Sequence, residues 1–149
     1  MPGDGWDSAN CYGYALGLNA NVAPGSANDG DMIDWCVSAE IEKKYCAELI
    51  EACKNDGLVD ESSAKPGLIA VFINKYADCL DYHFYRYDGG TWSHKLGAAG
   101  TVVTGIADPK LYNAALVGSK DALGSTIIGQ QFVTCMFPQV KMTEERFGL

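Results

Sequence analysis

The 149-residue chain is 48% hydrophobic and 20% charged, a globular balance that excludes a collagen, a coiled coil or a disordered tail. Its 11 Lys and Arg against 19 Asp and Glu give a net charge of −8, and no basic cluster offsets it, so nucleic acid is an unexpected partner; solubility or attraction to a cationic partner or substrate fits better. No apolar run approaches a membrane span, and the opening MPGDGWDSAN has neither the basic nor the apolar stretch of a Sec signal peptide.

The length predicts one domain over residues 1–149. Residues 1–9 read as an irregular lead-in. Cys11, Tyr14, Ala15 and Leu18 then recur at helical spacing and predict a helix over 11–19, with Asn10 as its N-cap. Gly13 and Gly17 weaken that helix, although glycine also permits close packing. Residues 20–31 form a loop. The strongest helix is expected over 38–55, where Ile41, Tyr45, Leu49 and Cys53 line one face, Ser38 can cap, and Gly57 stops the run. A turn follows at 60–67.

Strands come next. GLIAVFIN at 67–74 is a continuous apolar run, as a central strand requires. YHFYRY at 82–87 is aromatic, and WSHKL at 92–96 is its hairpin partner across Asp88-Gly89-Gly90-Thr91. Residues 100–106 and 130–137 read as further strands, with a short helix after Pro109 within 108–124. Helices first and consecutive strands after them argue for an α+β fold with an antiparallel sheet.

Six cysteines are present, at 11, 36, 46, 53, 79 and 135. No C-x-x-C occurs and there are only two histidines, so neither a metal nor another cofactor is expected. Cys46 and Cys53 are too far apart along one helix to bond to each other. If one cysteine is a free nucleophile, the other five suffice for two disulfides and one leftover thiol, and disulfides would imply an oxidising workplace. Buried apolar thiols are the alternative.

The hairpin brings the chemistry together. With Gly89 and Gly90 as the turn pair, Tyr87 faces Trp92, Tyr85 faces His94 and His83 faces Leu96, so both histidines share one side of the sheet as diagonal neighbours. Tyr85 and Trp92, on that side, are possible groove residues. Arg86 and Lys95 fall on the opposite side and are expected to be solvated. Cys11 starts a helix, whose unpaired N–H groups and partial positive charge should lower a thiol's pKa and stabilise an oxyanion. If that helix end packs against the His83 side, Cys11 can attack a carbonyl carbon, His83 can carry the proton, and His94 can fix the His83 tautomer.

These residues carry a resemblance. N-C-Y-G-Y-A at 10–15 is similar to the D-C-S-G-Φ-V nucleophile motif (Φ apolar) of NlpC/P60-type cysteine peptidases, a papain-like superfamily. D-Y-H-F-Y-R-Y-D-G-G-T-W-S-H-K-L-G at 81–97 resembles that family's His-strand-turn-strand-His unit, and resembles more closely small bacterial and phage papain-like domains reading N-C-x-x-Y-A, D-Y-H-x-Y-R and W-S-H-K-x-G. The resemblance implies a papain-like fold with the Cys-bearing N-terminal helix packed on an antiparallel sheet. It implies Cys11 as nucleophile, His83 as base and His94 as third residue. It also implies a peptidoglycan amidase or endopeptidase, as a phage-associated lytic enzyme or a delivered toxin with a cognate immunity protein. The workplace would be the periplasm or cell wall, reached without Sec, or otherwise the cytoplasm. Asn10 stands where NlpC/P60 usually has Asp, and the papain-type Gln before the nucleophile is absent. Trp6, Ser8 or a backbone N–H are left as oxyanion donors, and Asp108 as an alternative to His94. Two rival readings stay open: a protease, deamidase or transglutaminase acting on a host protein, and a non-catalytic binding domain with structural Cys and His.

Overall fold

A computed structural model describes residues 5–28, 32–34, 36–121 and 123–149. The first four residues of the expected lead-in, positions 29–31 of the expected loop, and position 122 near the end of the expected helical stretch lie outside the described residues.

Among the described residues, three α-helices, α1 (Cys11–Leu16), α2 (Glu42–Asn55) and α3 (Pro109–Ala115), accompany six strands. These are β1 (Leu58–Asp60), β2 (Ile69–Lys75), β3 (Leu80–Tyr87), β4 (Trp92–Lys95), β5 (Val102–Ile106) and β6 (Gly129–Pro138). The strands form one sheet in the order β1-β6-β2-β3-β4-β5, every pair antiparallel, and the protein is α+β as expected. The apolar run becomes β2 at the centre, between β3 and β6. Its partner register aligns Ala70 with Tyr85, Phe72 with His83 and Asn74 with Asp81.

Alternation gives the sheet two faces. Ile69, Val71, Ile73, Tyr82 and Phe84 face one way and pack with Tyr12 and Ala15 of α1 and Tyr45 and Leu49 of α2. Ala70, Phe72 and Tyr85 face the other way, with Ile106 and with Tyr112 of α3. Ile41 departs from its expected place. A 3-10 turn over Ala39–Ile41 precedes α2 and leaves it 36% exposed, while Ser38 caps that turn through the Glu40 N–H.

The α1 helix is short because its ends are set locally. Asn10 Oδ1 accepts from the Gly13 N–H at 2.9 Å, and Gly17 closes the helix with φ 80°. Gly13 is the close-approach glycine. A Cβ there would lie 2.0 Å from the Ala20 carbonyl oxygen and 3.1 Å from Asn10 Oδ1, the cap atom itself. Gly13→Ala is therefore expected to cost about 1–3 kcal/mol, read as a lower thermal midpoint.

One disulfide, Cys36–Cys79, joins the segment before α2 to the start of β3, beside the Val37–Leu80 bridge. Cys11, Cys46, Cys53 and Cys135 are free, so one bond forms rather than two. Cys53 is fully buried in the core, which gives it a packing role. The bond closes a 43-residue separation, which corresponds to about 4 kcal/mol of stabilisation by loop-closure entropy. Thermal unfolding with and without reductant should differ accordingly, with a lower midpoint in the reduced protein.

Candidate active site

Asn10 anchors the site. Its Oδ1 also accepts from the Val22 N–H at 3.1 Å, and its Nδ2 donates to the Val22 carbonyl at 2.8 Å. The side chain thus caps α1 and holds the following loop, placing Cys11 at a fixed helix tip.

The strand pattern explains where that tip goes. Tyr87 exchanges hydrogen bonds with the β2 side, donating to Leu68 and accepting from Gly67, both at 2.8 Å. Alternation in an antiparallel strand then turns the main-chain groups of Tyr82 and Phe84 toward the β4 side. The β3–β4 ladder, however, ends at Arg86–Ser93. Cys11 fills the space beyond it, with Sγ 3.9 Å from the Tyr82 carbonyl oxygen.

The helix body packs on the Tyr82–Phe84 face, through Tyr12 against Phe84 at 4.6 Å and Tyr14 hydroxyl on Ser93 Oγ at 2.7 Å. This corrects the expectation that the helix end packs against the His83 side. The thiol instead sits at the strand edge, between the two faces. Cys11 and His83 nevertheless line one cleft of about 360 Å³, together with Asn21, Asn74, Asp81 and the loop after β4.

The hairpin register matches the sequence reading, with Tyr87 opposite Trp92 and the turn glycines at φ 60° and 115°. His83 Nε2 and His94 Nδ1 are 2.6 Å apart, and both rings are buried. A proton on His83 Nε2, donated to His94 Nδ1, leaves the His83 Nδ1 lone pair free to accept another. Tyr85 stacks on His94 at 4.6 Å and 19°, and its hydroxyl donates to Asn113 Oδ1 at 2.7 Å. Tyr112 meets the His94 edge at 5.1 Å. Tyr85 and Trp92 are therefore packing residues and do not line the cleft.

Asp108 is not an orienting group. It is exposed and caps α3 through the Lys110 N–H at 2.9 Å. Neither Trp6 nor Ser8 lines the cleft: Trp6 packs edge-on against Tyr14, and the Ser8 N–H donates to Asn19. Among the polar side chains that do line it, Asn21, Asn74, Tyr76, Asp81 and Asp121 were not singled out from sequence. Asn74 carried a signal as the one polar residue in the apolar run of 67–74. It is buried, and its Oδ1 accepts from Asn113 Nδ2 at 3.1 Å.

Lys95 and Arg86 are not the solvated residues expected. Lys95 is 1% exposed, because its face of β4 lies under the chain leading into α1; its Nζ donates to the Ala9 and Ala98 carbonyls, the latter at 2.7 Å. It ties the segment before Cys11 to the loop that walls the cleft. Arg86 donates to the Tyr14 carbonyl at 3.0 Å and lies over the Trp6 and Tyr14 rings.

The electrostatics also depart from expectation. Burial pushes the Cys11 thiol up, and the negative charge of Asp81 adds to this; N–H groups of Tyr12, Phe84 and Cys11 pull it down but do not prevail. A six-residue helix has a weak terminal field, and a desolvated thiolate is costly. Burial holds His83 well below its usual 6.5, with His94 adding to the effect, and pushes His94 down to about 4. The resting site is a neutral thiol beside neutral imidazoles.

No family model, no curated protein and no solved structure matches the chain. Among the described residues, no helix is long and apolar enough to cross a membrane, and no group of three or more His, Cys, Asp or Glu is placed to hold a metal ion.

Proposed function

We propose that the protein is a papain-like cysteine hydrolase that cleaves amide bonds, with peptidoglycan peptides as its first-choice substrate. One observation carries the reading: Cys11 and His83 share a cleft, and His83 is hydrogen-bonded behind by a fully buried His94. In this reading Cys11 Sγ attacks the scissile carbonyl carbon as His83 Nδ1 takes the thiol proton. The imidazolium is held through Nε2 by His94 and passes its proton to the leaving amine. Water then hydrolyses the thioester by the same base. Because thiol and imidazole both start neutral, proton transfer accompanies attack rather than preceding it.

The resemblance of residues 10–15 and 81–97 to NlpC/P60-type and small bacterial and phage papain-like domains supports the substrate class. The single disulfide suits an oxidising compartment such as the periplasm, where a lytic enzyme or a delivered toxin with its immunity protein would act. Mass spectrometry of digested sacculi is the test. Muropeptide fragments released by the wild type and absent with Cys11→Ala support the proposal; an inert sacculus overturns the substrate assignment.

The pH profile has a defined sign. A base held below its usual 6.5 stays unprotonated in mildly acid solution. The acid limb of kcat/KM is therefore expected at a midpoint below 6.5, and a midpoint above 6.5 contradicts a buried neutral base.

A further inference from the structure

The outer half of β4 is tied inward by side chains. Because the β3–β4 ladder ends at Arg86–Ser93, His94 and Lys95 pair with β5, the strand at the sheet edge, and not with β3. The two residues are consecutive and therefore project to opposite faces. On one face His94 meets His83 at 2.6 Å. On the other Lys95 reaches the chain entering α1, where its Nζ donates to the Ala9 carbonyl. Ala9 stands one residue before the cap Asn10 and two before Cys11.

A buried ammonium is costly unless its donors are met. Lys95 is buried, and two main-chain carbonyls meet it, those of Ala9 and of Ala98, the latter at 2.7 Å. A tight turn brings Ala98 back. The Gly97 N–H donates to the Lys95 carbonyl at 3.0 Å and the Gly100 N–H to the Gly97 carbonyl at 3.2 Å. A Cβ at Gly100 would lie 2.2 Å from the Leu96 carbonyl oxygen, so the turn needs glycine there. Residues 96–99 of this turn wall the cleft. One ammonium thus holds the cleft wall and the entry to α1 together. The other anchors of the helix act elsewhere: Asn10 binds it to the loop that follows, and Tyr14, through Ser93 and Arg86, fixes its far half.

We propose that Lys95 is the positioning residue of the nucleophile: its ammonium, bonded to the Ala9 and Ala98 carbonyls, fixes the tip of α1 and with it Cys11 Sγ in the cleft shared with His83. His94 plays the matching part for the base, so two consecutive residues of one strand set both halves of the reacting pair. The inference rests on the hydrolase reading for the word nucleophile, but the clasp itself does not need turnover. Charge works in the same direction. Burial lowers the Lys95 pKa, whereas Asp7 and a Cys11 thiolate favour its ammonium form, and that attraction is mutual.

Iodoacetamide alkylation, resolved at each cysteine by peptide mass spectrometry, tests this in full-length Lys95→Met, whose side chain keeps its length and loses its donors. Cys11 is expected to react at least about tenfold more slowly than in wild type at neutral pH, since a displacement of about 1 Å suffices for such a loss. Cys53, buried in the core, should keep its wild-type rate. The acid midpoint of the Cys11 rate should stay at its wild-type value, because His83 and His94 keep their bond. A merely structural lysine gives the opposite pattern: loosened packing opens Cys11 and Cys53 alike and speeds both. A Cys11 rate that is unchanged or faster, or an acid midpoint that moves and so puts the effect at the base, overturns the proposal. If Lys95→Met fails to fold, nuclear magnetic resonance of the wild type decides. The Lys95 ammonium, shielded from exchange, should give a proton–nitrogen signal that shifts when Cys11 is alkylated; a signal absent or unmoved overturns the proposal. In a hydrolase, Lys95→Met also lowers kcat and leaves KM nearly unchanged. If wild type leaves sacculi intact while the alkylation pattern holds, the hydrolase reading has failed and the clasp has not.

Discussion

Cys11→Ala and His83→Ala should each lower kcat/KM for amide cleavage by roughly a thousandfold or more, and the double variant should lose little further. Removing the sulfur removes the only route to a thioester at this cleft. Removing His83 leaves a thiol that burial and Asp81 hold protonated, without the imidazole that would take its proton. The two residues act as one unit, so their losses are not additive. His94→Ala should cost less, roughly a hundredfold, because His83 keeps its lone pair and loses only the partner 2.6 Å behind it. His94→Asn, which restores an acceptor, should recover part of that loss. A merely structural histidine would change stability and leave the acid limb of the profile where it was. A positioning histidine moves that limb, since it sets how well the His83 imidazolium is held. Circular dichroism at the assay temperature separates lost chemistry from lost folding.

The largest effect on stability is expected at Asp56, just past the end of α2. It is fully buried, and its carboxylate accepts from the Tyr12 hydroxyl at 2.6 Å, the Gly25 N–H at 2.8 Å and the Ala27 N–H at 3.0 Å. Its own carbonyl accepts from Arg146 Nε at 2.7 Å. One residue thus joins α1, the loop after it and the end of α2 through its side chain, and the C-terminal segment through its carbonyl. Asp56→Ala strands two buried donors and a part-buried one at once and should cost about 3–5 kcal/mol. For a chain of this size that is a fall of roughly 6–20 °C in thermal midpoint. Asp56→Asn keeps one acceptor oxygen and should lose distinctly less. An unchanged midpoint in Asp56→Ala would mean that this junction does not hold the helices together. Because Tyr12 follows Cys11 directly, the position of the Cys11 thiol depends on the same contact.

What could be read from the chain alone divides along physical lines. Local signals were legible. The Gly89-Gly90 pair fixed the hairpin register and hence the meeting of His83 with His94. Asn10 declared itself as a cap, and the spacing of Tyr45, Leu49 and Cys53 gave the inner face of α2. Features set by closure of distant segments were not legible. Alternation puts Lys95 on the face opposite His94, but only the course of residues 5–10 over that face buries it. The early end of the β3–β4 ladder, which opens a place for Cys11 at the strand edge, has no sequence mark. The three residues of β1 are too few to show a period, and they become a strand because β6 runs past them. Charge balance at the thiol also eluded the sequence: a helix start argues for a lowered pKa, whereas the depth of burial reverses the sign. Asp81 was visible only as part of D-Y-H, and its unpartnered oxygen is a property of the assembled cleft.

The central claim is that Cys11 and His83 form a reacting pair. Its most direct test is the rate of iodoacetamide alkylation at Cys11, resolved from the other free cysteines by peptide mass spectrometry, in wild type and His83→Ala across acid and neutral pH. The account predicts faster alkylation of Cys11 than of Cys53, which is also buried, a rate that falls with the acid titration of His83, and a loss of at least about tenfold in His83→Ala. A Cys11 that reacts no faster than Cys53, or at a rate indifferent to His83, would contradict it.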